Sequence, residues 1–180
     1  MFRDGKRSGY GEMVFNQFND NIMDFQPAKY QGQWRFNKRN GQGIMTWPDG
    51  SKFEGEWKDD CRVYGKLFMP QDHNEYEGSF KDDKFEGIGK ITYQREGVTF
   101  EGLFEKGLAS NIGKLVNMSN KQIYIGEIQE LKKQGVGTLI DTATDRRYEG
   151  EFEEDHPMGN GTIYYPNGDI FVGRVDKLVR

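Results

Sequence analysis

Closely spaced glycines are the residues of this sequence that could form a phosphate-binding loop. A G-x-G pattern lies at Gly159–Gly161, within the stretch YEGEFEEDHPMGNGTIYYPNGDIFVG. A Gly-rich loop between a strand and a helix can cradle phosphate with its backbone N–H groups, but such a loop occurs once per site and carries a third glycine or Lys-Ser/Thr. Here the pattern recurs as GQG, GIG, GVG and GNG at matched spacing, without those additions. We therefore interpret it as a structural element.

The other chemically versatile side chains predict no active site. His73 and His156 fall in predicted turns, without a paired cysteine or a spaced acidic cluster that could complete a metal site. Cys61 has no histidine at an equivalent position to activate it. The many carboxylates follow the period of the repeat described below, whereas a catalytic pair would break it. The sequence predicts a protein that is not an enzyme and that uses neither a cofactor nor a metal.

Composition narrows the class of partner. The 180 residues carry a net charge of -4 with a pI near 5.3, so no basic face is expected that could displace counterions from nucleic acid. No apolar run approaches the roughly 20 residues of a membrane span, and the N-terminus lacks the apolar region of a signal peptide. A single cysteine permits no internal disulfide. These features predict a cytoplasmic protein.

Two short signatures repeat along the whole chain. The first is an aromatic residue, a glycine two residues later and a large apolar residue two further on; it starts every 23 or 24 residues, at Tyr30, Phe53, Tyr76, Phe100, Tyr124, Tyr148 and Phe171. The second signature begins nine residues after each central glycine, at Gly41, Gly87, Asn111, Gly135 and Gly159. The unit at Phe53 is one residue shorter and has VYGKLFM from Val63 instead. A period of this length indicates stacked repeats that share one core.

The period-2 spacing of the large residues favours strands over helices. Each unit is predicted to be two strands joined by a tight turn such as Lys81–Lys84, and the stretches PDG at Pro48–Gly50 and PNG at Pro166–Gly168 predict turns between units. The expected fold is all-β: an elongated array of hairpins in a single twisted antiparallel sheet. One array spans 1–180, with a partial first repeat 1–15, an insertion loop 16–29, repeats starting at 30, 53, 76, 100, 124 and 148, and a partial last repeat 171–180.

These signatures resemble the MORN (membrane occupation and recognition nexus) repeat family, whose units begin Y-x-G-x-W/F and reach G-x-G about nine residues on. The resemblance covers all of the chain except residues 16–29. Departures lie at Ile128, in the position of the Trp, and at Asn117 and Asp141, which replace the late aromatic residue of the second signature. Any groove is expected to be interrupted there.

Strand alternation assigns the aromatic residues and glycines to one face and the charged residues to the other. We expect the glycines to act as floors beneath aromatic rings. Two interpretations of the rings remain open: they form the core of a thin sheet, or part of the face stays an apolar groove for a helix or an extended peptide. The candidate groove residues are Tyr30, Trp34, Trp47, Phe53, Trp57, Tyr76, Phe80, Tyr93, Phe100, Phe104, Tyr148, Phe152 and Tyr165. The opposite face is either solvated and laced with ion pairs or an acidic strip for a basic partner.

The predicted function is a non-enzymatic scaffold that binds proteins. The resemblance implies a structural part of a cytoskeletal or ciliary assembly, such as an axonemal radial spoke. A peripheral membrane or phosphoinositide tether is the alternative, with basic doublets at Lys132-Lys133 and Arg146-Arg147, as is the regulatory array of a larger enzyme. The incomplete repeats at both ends also predict strand addition at Phe171–Val175 or at residues 1–4, by another protein or by a second copy of the chain.

Overall fold

The computed structural model describes residues 2–15 and 27–176, and every regular element in these ranges is a β-strand. Strands β3 to β16 follow one another in chain order in one antiparallel sheet, while β1 and β2 pair separately. The predicted all-β, single-sheet fold is therefore confirmed. None of the described residues forms a helix able to cross a membrane. Most of the predicted insertion loop, 16–26, and the last four residues lie outside the described ranges.

The chain divides into two compact units, and the first, unit 1, runs to Arg95 and includes Phe104–Leu108. Its strands are β1 (Phe2–Arg3), β2 (Lys6–Arg7), β3 (Gly9–Phe15), β4 (Ala28–Arg35), β5 (Lys38–Thr46), β6 (Lys52–Lys58), β7 (Cys61–Met69), β8 (Asn74–Lys81) and β9 (Lys84–Tyr93). The predicted repeat starts at 30, 53 and 76 fall in β4, β6 and β8.

Unit 2 comprises Glu96–Leu103 and the chain from Ala109 onwards. It contains β12 (Gln122–Gln129), β13 (Lys132–Asp141), β14 (Arg146–Glu153), β15 (His156–Tyr164) and β16 (Ile170–Asp176). It also contains most of β10 (Val98–Glu105) and of β11 (Leu108–Asn117).

Within each repeat a two-residue turn joins the two strands, and both of its residues have positive φ. At Asp82 and Asp83, within the predicted KDDK turn, the φ angles are 50° and 59°. Two consecutive positive φ values define the type I′ turn, whose twist matches that of paired strands, and Asp and Asn tolerate this region better than most residues do. The other turn pairs are at 4–5, 36–37, 59–60, 106–107, 130–131 and 154–155. The predicted turns at Pro48–Gly50 and Pro166–Gly168 are also present.

Glycines from successive strands face one another and form a row across each unit. The row in unit 1 is Gly11, Gly32, Gly43, Gly55, Gly65, Gly78 and Gly89. The row in unit 2 is Gly113, Gly126, Gly137, Gly150, Gly161 and Gly173.

An aromatic ring lies over each pair of facing glycines within a hairpin. A Cβ on Gly43 would lie 2.2 Å from Tyr30 Oη, and one on Gly65 would lie 2.8 Å from Phe53 Cζ. The floor role predicted for the central glycines is therefore confirmed. The ring comes from the same strand as one glycine, two residues earlier, and reaches across to the other.

The first glycine of each G-x-G has a different role from the one we predicted. It is not a floor but part of a β-bulge, and Gly41, Gly135 and Gly159 have φ of 94°, 54° and 72°. At these three bulges the side chain after the central glycine fills the space where a Cβ would stand, as Glu127 does over Gly135. In the shorter unit the bulge at Val63 has one residue fewer, so no glycine is needed there.

Substituting alanine at a floor glycine tests this arrangement. Gly78→Ala would place a Cβ 2.4 Å from Tyr76 Oη and 2.9 Å from Gly89 Cα, so we expect a loss of about 2–3 kcal/mol or more in unfolding free energy. Gly87→Ala is the control, because that bulge glycine has positive φ but open space around it, and its strain should cost only about 1 kcal/mol. Urea unfolding measures both variants, and equal losses would contradict the packing role of Gly78.

Candidate functional site

The structure places ten of the thirteen candidate groove residues in the core. These ten have at most 7% of their surface exposed: Tyr30, Trp34, Phe53, Trp57, Tyr76, Phe80, Phe100, Phe104, Tyr148 and Phe152. The other three are half-buried and lie after the second strand of a repeat or at its end: Trp47, Tyr93 and Tyr165. Partner binding by the set stays a prediction, and these three offer its most accessible ring surface.

The buried rings interlock from one repeat to the next. Tyr30 meets Trp34 of its own repeat at 5.1 Å between ring centroids and Trp57 of the following repeat at 5.6 Å, both edge to face. Phe53 continues the pattern with Trp57 and Phe80. Edge-to-face pairs are worth about 0.5–1.5 kcal/mol beyond the area they bury. These repeats therefore complete their core with a ring from the next repeat.

An arginine from the preceding repeat covers the second ring of the next one. The Arg39 guanidinium lies 4.2 Å from the Trp57 ring centroid, and its Nε donates to Asp60 Oδ1 at 3.1 Å. The Arg39 backbone N–H donates to the same oxygen, and the Asp60 N–H donates to the Arg39 carbonyl. We call two such residues a junction pair: the first lies two positions after the hairpin turn of one repeat, and the second lies in the hairpin turn of the next repeat.

Junction pairs recur along the chain, and when the first residue changes in type, the second changes with it. Arg7 with Asn37, Arg62 with Asp83 and Lys133 with Asp155 make equivalent polar contacts. Where Phe85 replaces the cation, it stacks on Tyr76 at 3.8 Å, and the turn partner is Gly107. At the next junction Ala109 and Leu131 stand in these two positions.

Sequence reasoning missed the junction pairs because it aligned the repeats only on glycines and rings. The partners are 21 or 22 residues apart in most repeats, so neither signature contains both of them. Comparing the residue two positions after each turn would have found Arg7, Arg39 and Arg62 at equivalent places.

Open space on the aromatic face is left beside several junction pairs, next to the turns that link neighbouring repeats. Two such clefts in unit 1, of about 570 and 580 Å³, share Arg39, Trp47, Pro48 and Asp60. Apolar side chains such as Met45 and Leu67 form part of the lining. The arginines and aspartates along the two clefts balance in charge. The two clefts therefore form a continuous apolar surface along this part of unit 1, bordered by these arginines and aspartates. We call the apolar surface the cleft strip and the bordering charged side chains its polar bank.

In two repeats of unit 2 the late aromatic residue is replaced by a polar side chain that caps a turn, at the positions where we expected an interruption. Asn117 Oδ1 accepts from the Ser119 and Asn120 N–H groups, and Asp141 Oδ1 accepts from the Ala143 and Thr144 N–H groups. These residues hold turns and present no ring surface.

The opposite face of the sheet is solvated and carries cross-strand ion pairs. Lys66 lies 3.3 Å from Glu77, and Lys114 lies 3.1 Å from Glu101, with all four side chains more than one-third exposed. Exposed pairs of this kind contribute about 0–1 kcal/mol each. The pairing supports the interpretation as a solvated face, and use of this face as an acidic docking strip stays a prediction.

No cluster of three or more metal-ligating side chains occurs among the described residues. Cys61 is exposed beside a hairpin turn, with its Sγ 4.0 Å from the Asp59 carbonyl oxygen. His156 begins a strand and is exposed, and His73 lies in a turn with a φ of 58°. The geometry therefore brings none of these residues together.

Tyrosine hydroxyls tie the first ring of a repeat to the backbone around the bulge. Tyr30 Oη donates to the Gln33 carbonyl at 2.9 Å, and Tyr124 Oη contacts the carbonyls of Glu127 and Gln134, both at 2.9 Å. Burial raises the pKa of Tyr30, Tyr76 and Tyr124 to about 12, because the ionised phenolate would lose its hydration. These phenols are neutral structural groups at physiological pH.

Comparison with known proteins agrees with this architecture of short repeated hairpins. The sequence model of the MORN repeat matches residues 1–19, 30–52, 76–97 and 148–170. The chain is a MORN repeat protein. A search of the curated proteins finds no significant match. MORN repeats generally mediate protein or membrane interactions, and the family is generally non-enzymatic.

The raised tyrosine pKa values predict unfolding in alkali. The neutral phenol is favoured in the folded chain, so this stabilisation is complete below the unfolded pKa of about 10 and is lost as the pH rises through about 12. The triple variant Tyr30→Phe, Tyr76→Phe, Tyr124→Phe should lose about 1 kcal/mol per hydrogen bond at pH 7 but depend less on pH between 10 and 12. Circular dichroism during alkaline titration checks this, and parallel curves would contradict it.

The junction pair predicts energetic coupling between neighbouring repeats. In a double-mutant cycle of Arg39→Ala and Asp60→Ala, we expect a coupling of about 1 kcal/mol, because the Arg39 side chain is only 21% exposed and is held by the Trp57 ring. The exposed pair Lys52 and Glu54 is the matched control and should couple by about 0.5 kcal/mol or less. Urea unfolding gives both cycles, and equal couplings would remove the special role of the junction.

Proposed function

We propose that this protein is a non-enzymatic scaffold that binds partner proteins along the cleft strip of unit 1. The observation that carries the proposal is the pair of adjoining clefts beside Trp47, lined by apolar side chains and by a charge-balanced bank of arginine and aspartate. Such a surface suits the apolar side of a helix or an extended peptide, with hydrogen bonds available along the bank.

The buried rings take a structural part in this proposal. They fix the backbone and the arginines that form the bank, while Trp47 supplies the accessible ring. A half-buried tryptophan in a cleft has the properties of an interface hot spot, since it can bury much area with little loss of side-chain freedom. Tyr93 and Tyr165 occupy the equivalent place in other repeats.

Strand addition at β16 is a second mode of contact that the structure favours. In the described part of the chain, β16 pairs only with β15, and Phe171 is 44% exposed although the equivalent rings of other repeats are buried. An extended segment of a partner could pair with this edge and cover the ring. The other predicted edge is less open, because β1 pairs with β2 of its own chain.

The membrane alternative is weakened by the ion pairs of the basic doublets. Lys132 pairs with Glu154, Lys133 with Asp155 and Arg147 with Glu149. Stable electrostatic anchoring takes a cluster of roughly four to eight unneutralised cations. We therefore favour protein partners over a phosphoinositide surface.

The proposed setting is a cytoskeletal or ciliary assembly in the cytoplasm, of the axonemal or radial-spoke kind. This part of the proposal is supported by the resemblance to MORN proteins of such assemblies. Tagging the protein in ciliated cells tests it, since absence from both cilium and cytoskeleton would overturn the setting without affecting the docking surface.

Replacing Trp47 tests the docking surface. Trp47→Ala should leave the melting temperature within a few degrees of wild type. It should weaken the binding of a protein partner, identified beforehand by proximity labelling, by about 2 kcal/mol, the size of an aromatic hot spot. Tyr10→Ala is the matched control, because Tyr10 is 65% exposed on the opposite face of unit 1. If the affinity for the partner falls in Tyr10→Ala but not in Trp47→Ala, the partner binds the opposite face of the sheet and the proposal is wrong.

A further inference from the structure

Unit 2 contains a cleft that corresponds to those of unit 1 but differs from them in charge. It encloses about 550 Å³ on the aromatic face, and its lining includes Leu115, Leu139 and Val98. Three carboxylates also line it, from Glu96, Glu130 and Asp155, against the single ammonium of Lys133. Lys133 is already held by Asp155 at 3.0 Å. Neither Glu96 nor Glu130 forms an ion pair with any described residue.

Two junctions border this cleft: one is the polar pair of Lys133 and Asp155, and the other supplies no cation. Ala109 stands in the position of Arg39 and Arg62, and Leu131 stands where their aspartate partners would be. Leu131 lines the cleft. This second junction therefore adds apolar surface here, where unit 1 has a guanidinium over a ring.

An unpaired acceptor adds to this arrangement. Asn120 lines the cleft, and its Oδ1 is buried without a hydrogen-bond donor in the described part of the chain. A buried acceptor without a donor is costly, and a donor brought by a ligand would remove that cost.

We propose that this cleft binds a protein segment that presents Lys or Arg beside apolar side chains. The proposal rests on the scaffold function above and names the partner chemistry for a second surface. The apolar lining accepts the aliphatic side chains and the stem of the cation, and Glu96 and Glu130 attract its charged end. The sign of the charge disfavours nucleic acid and anionic lipid as occupants.

Fluorescence anisotropy with defined peptides on the whole chain tests the proposal. The probes are a labelled 14-residue amphipathic peptide of Leu and Lys and its Leu/Gln and Leu/Glu analogues. The Leu/Lys peptide should bind, and Glu96→Gln with Glu130→Gln should weaken it by about fivefold at low salt. The control, Glu105→Gln with Glu153→Gln, removes the same net charge at exposed positions outside the cleft and should leave the affinity unchanged.

A second variant fills the cleft without removing its carboxylates. Ala109→Arg with Leu131→Asp introduces the polar junction of unit 1, so it should raise the melting temperature and abolish binding of the Leu/Lys peptide. Failure of that peptide to bind wild type, or equal weakening by the cleft and control pairs, would overturn the proposal. Trp47→Ala should bind the peptide as wild type does, so loss of the Trp47-dependent partner and loss of peptide binding report separately on the two surfaces.

Discussion

The fold depends on an aromatic ring lying flat over two facing glycines of its own hairpin. At Tyr30, Phe53 and Tyr76 no side chain larger than hydrogen fits beneath the ring, because a Cβ on the glycines would come within 3 Å of it. Glycine in a strand is ordinarily unfavourable, since it adds no packing and loses much backbone freedom. Here the packing of the ring in the space above the glycines offsets that loss, so the row of glycines and the series of rings depend on each other.

A sheet of one layer has no second layer to cover its rings, and this protein uses the next repeat for that purpose. Trp57 packs against the ring of the preceding repeat and lies under Arg39 from that repeat, while Asp60 fixes the arginine. The core is thus distributed over the boundaries between repeats, which makes each repeat dependent on its neighbours. The space left over after this coverage is the series of clefts, and what fills or lines each cleft is decided by the local junction.

Much of the fold could be predicted from the sequence because its signals are local and periodic. The two-residue spacing around Gly32 gives strand and face, and the Asp82-Asp83 pair gives the turn. The first glycine of G-x-G was misassigned, because strand alternation takes no account of a bulge, which moves Gly41 out of the floor row. The site was harder to predict, since the burial of Trp34 depends on Arg7, a residue outside the aligned signatures. A cleft depends on residues from two repeats, and their contacts appear only once the strands are in register.

The varied junctions have a consequence for how the chain finds its own register. A strand displaced by one whole repeat would still lay a ring over a glycine pair, so the glycine row alone cannot distinguish the correct neighbour from the next one. The junctions can: displacement would set Arg62 against Gly107 and Ala109 against Asp155, leaving a cation and a carboxylate without counterions. Near-identical repeats invite misalignment during folding and swapping between copies. The differences between junction pairs therefore favour the pairing of each repeat with its correct neighbour.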